Sequence, residues 1–137
     1  MNEHTLAASL RAAGAGTLAV DLPIDKKVDN AFCAIRPPVH HAEHNKAMGF
    51  CFFNNIAVAA AHAPEEHKLE RIAIVDFNVH HGNRAEDIFE NNPCVIVCSS
   101  YEHSLYRSSD QATIPRHLIN SPLKPYFVGP EFRMAVQ

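Results

Sequence analysis

Two short apolar runs constrain the fold of this 137-residue chain more than any other feature. Residues 72–77 and 94–98 are continuous and mainly aliphatic, which is typical of strands buried on both faces of a sheet. Between them, residues 85–90 have the composition of a short helix. A strand, a helix and a strand in this order favour a parallel pair, because parallel neighbours need a crossover connection.

The remaining segments extend the same pattern. Residues 2–13 and 54–63 are predicted helices, which Gly14 and Pro64 end. Residues 17–20 and 118–119 are short strand candidates, the apolar run 31–35 is placed as a further one, and the last residues resemble the start of a helix. We therefore expect one α/β domain over residues 1–137, with a mostly parallel sheet flanked by helices on both faces.

Composition excludes several kinds of function. Hydrophobic residues make up 47% and charged residues 20% of the chain, as in a folded protein, and the net charge of -3 predicts no nucleic-acid partner. The longest apolar run, residues 56–61, is too short to cross a bilayer, and no signal peptide is visible, so no membrane partner is expected. The four cysteines form no C-x-x-C pair, which favours a reducing, cytoplasmic location.

Polar clusters follow three of the apolar runs. They are His40 and His41 after residues 31–35, residues 76–83 after 72–75, and Ser99 and Ser100 after 94–98. Ligand sites in parallel sheets lie at the carboxyl ends of the strands. Alternation along an extended chain puts Asp76, Asn78 and His80 on one side. A carboxylate, an amide and an imidazole on one side indicate half of a metal site or a proton relay.

Three ordered motifs resemble the zinc-dependent histone deacetylase superfamily. They are RPPVHHA at 36–42, MGFCFFNN at 48–55 and VDFNVHHGN at 75–83. The chain is most similar to the bacterial branch of acetoin-utilisation-type deacetylases and acetylpolyamine amidohydrolases, over residues 31–106 and more faintly to 132. The resemblance implies an arginase/deacetylase-like three-layer fold, here shortened, because family members are more than twice as long.

The resemblance also implies a role for each matching residue. His40 and His41 match the tandem histidines that act as general base or electrostatic partner and as general acid, and Asp76 and Asn83 match the residues that orient them. His80 matches a ligand of the catalytic zinc, which polarises an acetamide carbonyl and activates water. The other matches are the substrate-tunnel residues Gly49, Phe50 and Tyr106, and the residues of a monovalent cation site for potassium or sodium, Asp76, His80 and Ser99.

Departures from the family pattern predict loss of activity. The family's zinc ligands are aspartate, histidine and aspartate, and Asn78 stands at the position of the first aspartate. A neutral amide oxygen is a much poorer zinc ligand than a carboxylate. The second aspartate and a carbonyl-polarising tyrosine belong to a later part of the family's domain than Gln137. Arg84 also replaces a glycine. We therefore expect a truncated domain with an incomplete zinc site, catalytically silent on its own.

Two alternatives stay open at this point. The chain is a zinc-dependent amidohydrolase acting on N-acetyl-lysine, an acetylpolyamine or a small acetamide if another subunit completes the site. Alternatively, the chain keeps the sheet without the catalytic activity and is a non-catalytic interaction module. Residues 72–75 and 94–97 are too apolar for exposed edges, so we expect a homo-oligomer that covers them.

Overall fold

A computed structural model describes residues 1–43, 45–103 and 114–137, and for Asn83 the backbone only. In chain order the elements are α1 (Thr5–Ile24), α2 (Asn55–His67), β1 (Ile72–Asp76), α3 (Asn83–Phe89), β2 (Val95–Glu102), β3 (Leu118–Leu123) and α4 (Gly129–Ala135). The predicted α/β class with a parallel sheet is confirmed. Among the described residues, no helix combines the length and the apolar character needed to cross a bilayer.

The sheet has the order β1-β2-β3, and both pairs are parallel. Ile72 pairs with Val95, and the β1–β2 register ends where Asp76 pairs with Ser99. β3 starts opposite Val97 of β2. β2 is the central strand, because it pairs with both β1 and β3. All three strands end at the same edge of the sheet, which is where Asp76 lies.

The core lies on one face of this sheet, under α2 and α3. It consists of Ala57, Ala60, Ile74, Ala85, Phe89, Val95, Val97 and Leu118. Burial of β1 and β2 on both faces was predicted, and this is wrong for the described residues. The opposite face, which we call the open face, consists of Ala73, Val75, Ile96, Cys98 and Ile119. Val75 is 64% exposed and Ile119 is 49% exposed.

The predictions of a strand at residues 17–20 and of a helix stop at Gly14 are wrong, because α1 runs through both. Gly14 faces open space, whereas a Cβ at Gly16 would lie 3.2 Å from the carbonyl oxygen of Asn55 and 3.5 Å from Ala59 Cβ. The helix continues because packing against α2 stabilises it, and Gly16 is the position of close approach.

Three further expectations fail in the N-terminal half and beside β2. Pro64 does not end α2, which continues to His67 and stops at Lys68 in the left-handed conformation. Residues 31–35 form no strand, and Phe32 is 93% exposed. Cys94, expected to be buried, is exposed. For residues 31–35 and Cys94 the apolar composition was read correctly, but among the described residues no neighbouring element covers them.

Candidate active site

A histidine–aspartate pair lies at the carboxyl end of β1. His40 Nδ1 and Asp76 Oδ2 are 2.7 Å apart, and their side chains are 15% and 16% exposed. The other carboxylate oxygen accepts a hydrogen bond from the backbone N–H of Asn78 at 3.0 Å. Burial opposes ionisation of Asp76, but the hydrogen bonds from His40 and Asn78 outweigh it and lower the pKa of the carboxyl. An ionised carboxylate only accepts hydrogen bonds, so it holds the proton of His40 on Nδ1.

Gly82 leaves the space that this carboxylate occupies. A Cβ at Gly82 would overlap Asp76 Oδ2, and it would lie 3.1 Å from Asp76 Cγ and 3.5 Å from His40 Nδ1. Gly82 is also the N-cap residue of α3, with φ of -80°. Glycine is therefore needed here because of close approach and not because of backbone conformation.

His41 packs between the two other histidines of the site. Its ring centroid is 4.1 Å from that of His40 and 5.8 Å from that of His80. Burial, and then the charges of these two neighbours, lower the pKa of His41 to about 4. The ring is therefore neutral near pH 7, and its surroundings disfavour the protonated form.

The loop around His41 is built to fit its ring. Gly49 has φ of +54°, and a Cβ there would overlap the His41 side chain. The backbone N–H of His41 donates to Cys51 Sγ at 3.3 Å, and Cys51 is 1% exposed. A left-handed glycine and a buried thiol thus hold this segment in place.

Asn78 and His80 lie together after β1, in a turn closed by the Asn78 side chain. Asn78 Oδ1 accepts from the backbone N–H of His80 at 2.9 Å and lies 3.2 Å from His80 Nδ1. Tetrahedral zinc with bonds of about 2.0–2.1 Å holds its ligands roughly 3.3 Å apart. The spacing of these two donors therefore resembles that of two zinc ligands, but both donors are neutral.

The described residues do not complete a catalytic zinc site at His80. Such a site needs three protein ligands. They are histidine nitrogens, carboxylate oxygens or cysteine thiolates. In the described part of the chain, no group of three histidine, cysteine or acidic ligand atoms includes His80. The pair Asn78 and His80 therefore does not fit the metal by itself.

Ser99, one of the residues of the predicted monovalent cation site, is a buried serine beside Asp76. It is 3% exposed and pairs with Asp76 in the β1–β2 register. Its Oγ is buried and has no hydrogen-bond partner among the described residues. A buried hydroxyl needs a partner, and a cation or a water beside a carboxylate would supply one. The roles of Asp76, His80 and Ser99 at this site stay predictions.

The second histidine of the 80–81 pair is a packing residue that the sequence analysis missed. His81 is 3% exposed, and its Nε2 lies 2.8 Å from Glu86 Oε1 and 3.1 Å from Asn120 Oδ1. Its ring stacks on Tyr101 with centroids 3.7 Å apart. His81 therefore ties α3 to β2 and β3. The available signal was alternation, since neighbours in an extended segment point in opposite directions.

Arg84 was also underestimated from the sequence. It forms an ion pair with Glu43 and donates to Met48 Sδ at 3.5 Å. Glu43 and Met48 belong to the loop that carries the tandem histidines. Arg84 thus fastens this loop to α3, whereas the sequence showed only that it replaces a glycine.

The other predicted residues are less closely joined to this cluster. Phe50 has φ of 63° and is 90% exposed, so it is a surface residue of the described chain. Asn83 is the first residue of α3. Tyr106 lies outside the described residues. The tunnel role of Gly49, Phe50 and Tyr106 and the orienting role of Asn83 stay predictions.

Comparisons with known proteins agree with this fold. A family model described as the histone deacetylase domain matches residues 1–137. This chain belongs to the histone deacetylase family. Human polyamine deacetylase HDAC10 is 44% identical over 111 residues, which cover 77% of this chain and 17% of that protein. Chloroplastic histone deacetylase 14 of Arabidopsis thaliana is 45% identical over 103 residues, 72% of this chain and 24% of that protein.

A solved structure shows the same architecture. The crystal structure of the HDA15 HD domain matches with a TM-score of 0.67 and 42% identity, covering 70% of this chain and 28% of that one. The chain therefore spans between about a sixth and about a quarter of the length of these relatives. The family is confirmed, whereas the assignment to its bacterial branch stays a prediction.

Proposed function

We propose that this chain is a deacetylase-like polypeptide that keeps the family's proton-handling histidines but does not hold a catalytic zinc by itself. The observation that carries the proposal is the neutral pair formed by Asn78 Oδ1 and His80 Nδ1 at 3.2 Å. Without a carboxylate, this pair lacks the negative charge that zinc needs to bind against competition. Zinc, where bound in this family, would polarise the acyl carbonyl and activate a water.

The histidines retain what proton transfer requires. The ionised Asp76 holds the proton of His40 on Nδ1, which leaves Nε2 as an acceptor. His41 beside it is neutral near pH 7 and is a weak base, because its pKa is lowered to about 4. This part of the site can bind and move protons, and the deficiency is confined to the metal.

The test combines turnover with a spectrum that resolves individual histidines. An acetyl-lysine peptide and an acetylated polyamine are assayed with added zinc, using the wild type and His80→Ala. We expect no zinc-dependent turnover in either. Ring ¹H–¹⁵N spectra should show His80 unshifted by zinc in the wild type and shifted in Asn78→Asp, which adds the missing charge. Turnover by the wild type that His80→Ala abolishes would show the proposal to be wrong.

A second candidate is a zinc-dependent amidohydrolase whose site is completed by another subunit. The intact His40–Asp76 pair and the low pKa of His41 favour it, because shifted pKa values and paired histidines cluster at catalytic sites. Turnover that rises with the square of the protein concentration would support this candidate. No turnover at any concentration would reject it.

We also propose that a second copy of the chain covers the open face. Aliphatic side chains on adjacent strands form one contiguous patch there, with Val75 64% exposed and Ile96 39% exposed. Such a patch is unfavourable in water and favours association. The location we propose is a reducing compartment such as the cytoplasm, since all four cysteines are free thiols.

Light scattering after size-exclusion chromatography tests the association. We expect a dimer or larger assembly in the wild type and a shift towards monomer in Val75→Lys, which places a charge on the patch. Lys68→Ala, an exposed change away from the open face, is the matched control and should leave the mass unchanged. A monomeric wild type over the accessible concentrations would overturn this proposal.

A further inference from the structure

Three potential metal ligands meet at the contact between α1 and α2, away from the histidines described above. Asp21 lies on α1, and His62 and His67 lie on α2. Asp21 Oδ1 is 2.6 Å from His62 Nε2 and 2.7 Å from His67 Nε2. The three ligand atoms all lie within 4.8 Å of one another.

The packing of the helices creates this convergence. Gly16 permits close contact near the start of α2, with Asn55 and Ala59. Asp21 follows about one and a half turns later on α1, beside the last turns of α2. His62 and His67 stand five residues apart, so they flank the carboxylate from two sides, and their rings are nearly perpendicular at 81°. The site therefore depends on two helices that must be packed together.

The donor set matches a divalent transition metal. Two imidazole nitrogens and one carboxylate oxygen are ligands that Zn²⁺ and its neighbours in the first transition series prefer. The Asp21 side chain is 36% exposed, and those of His62 and His67 are 22% and 19% exposed. An ion can therefore reach the site, while the imidazoles remain largely shielded from water.

A small movement and a change of protonation separate the observed contacts from coordination. Each Nε2 now donates its proton to Asp21, so on metal binding that proton moves to Nδ1 of the same ring or leaves to solvent. Ligands of tetrahedral zinc lie roughly 3.3 Å apart, so the carboxylate oxygen must retreat from each ring by about 0.6 Å. Asp21 is the most exposed of the three side chains and has room to do so. The hydrogen bonds of His67 and His62 lower the pKa of Asp21, so it already carries the charge that an ion requires.

We propose that Asp21, His62 and His67 form a binding site for a divalent transition metal of the zinc class, which clasps α1 to α2. Three protein ligands leave one position for water or for another ligand. The clasp is separate from the Asn78–His80 pair, because it uses other residues on other elements. The ion would hold the two helices together, because Asp21 lies on α1 and both histidines lie on α2.

The test titrates the chelator-treated full chain with ZnCl₂ by calorimetry. We expect one equivalent to bind to the wild type, to His4→Gln and to His80→Ala. His67→Gln should lose this equivalent. Asp21→Asn keeps an acceptor oxygen for both rings but removes the charge. Its affinity for zinc should therefore fall by more than the roughly 10–100-fold that is typical when a residue hydrogen-bonded to a metal ligand is replaced. His4 is an exposed histidine near the start of α1 and serves as the matched control.

Site-resolved spectra decide the result even if a variant does not fold. In the wild type, zinc should shift the ring ¹⁵N signals of His62 and His67 and leave that of His80 unmoved. Zinc should also raise the thermal midpoint of the wild type and not that of Asp21→Asn. The proposal is overturned if Asp21→Asn and His67→Gln bind zinc like the wild type, if His80→Ala alone removes the binding, or if the His62 and His67 signals do not move. The outcomes for Asp21, His62 and His67 concern residues outside the Asn78–His80 pair, so they are independent of the function proposed above. Loss of binding in His80→Ala alone would overturn both proposals, because it would place the zinc at His80.

Discussion

Replacing Gly82 by alanine tests whether the histidine–aspartate pair depends on the space behind it. The new Cβ would overlap Asp76 Oδ2 and lie 3.5 Å from His40 Nδ1, so the carboxylate must move away from the ring. The backbone itself is not strained, because Gly82 has φ of -80°. The whole cost therefore comes from the contact and from the hydrogen bond that it breaks.

The magnitude follows from two opposing contributions. Loss of a charged hydrogen bond such as the 2.7 Å contact of His40 with Asp76 costs about 1.5–3 kcal/mol. Alanine restricts the unfolded chain more than glycine does, and this raises the free energy of unfolding by about 0.4–1 kcal/mol. We expect Gly82→Ala to lower the free energy of unfolding by about 1–2 kcal/mol and to raise the pKa of Asp76 towards its ordinary value.

Urea unfolding measures the stability, and carboxyl ¹³C shifts follow the titration of Asp76. Gly14→Ala is the matched control, because nothing lies within 4 Å of a Cβ there and the residue is inside α1. It should stabilise the chain by about 0.5–1 kcal/mol. In a His40→Ala background, the cost of Gly82→Ala should largely disappear. An unchanged cost in that background, or no cost in the wild type, would refute the reasoning.

Three further predictions concern pH, a helix cap and the core. The folded pKa of His41 is about 4 against about 6.5 when unfolded, so the unfolded chain binds more protons between these values and stability falls as the pH is lowered through this window. In chelator-treated protein this loss of stability should be about 1–2 kcal/mol, which is less than the whole pKa shift would give, because the ring is partly solvated. The measurement compares urea midpoints at pH 7 and pH 4.5, and in His41→Gln this contribution to their difference should be absent. Identical pH dependence in that variant would contradict the assignment. Asn54 caps α2, because its side chain accepts a hydrogen bond from the N–H of Ala57 at 3.1 Å. Asn54→Ala should therefore lower the free energy of unfolding in urea by about 1–2 kcal/mol, and Asn54→Ser, which keeps an acceptor oxygen, should lower it less. Equal costs of the two variants would exclude the cap. Val97 is 1% exposed, so Val97→Ala should cost about 2 kcal/mol by the same assay, and a negligible loss would show that this face of the sheet is loosely packed.

Local patterns in the sequence determined much of the fold and of the site. The apolar runs 72–77 and 94–98 correspond to β1 and the first half of β2, and the short helix between them is α3. The motifs around His40, Asp76 and His80 identified residues that the structure brings together. This works because strand period and motif spacing are set within a few residues along the chain.

Only the tertiary structure decided what depends on neighbours distant in sequence. Gly14 does not end α1, because contact with α2 stabilises the helix beyond it. Apolar composition could not show that Val75 lies on an open face, since burial requires a covering element. Asp21 meets His62 and His67 across separations of 41 and 46 residues, which no local pattern encodes. Convergence of this kind is a property of helix packing, and packing follows from the whole chain at once.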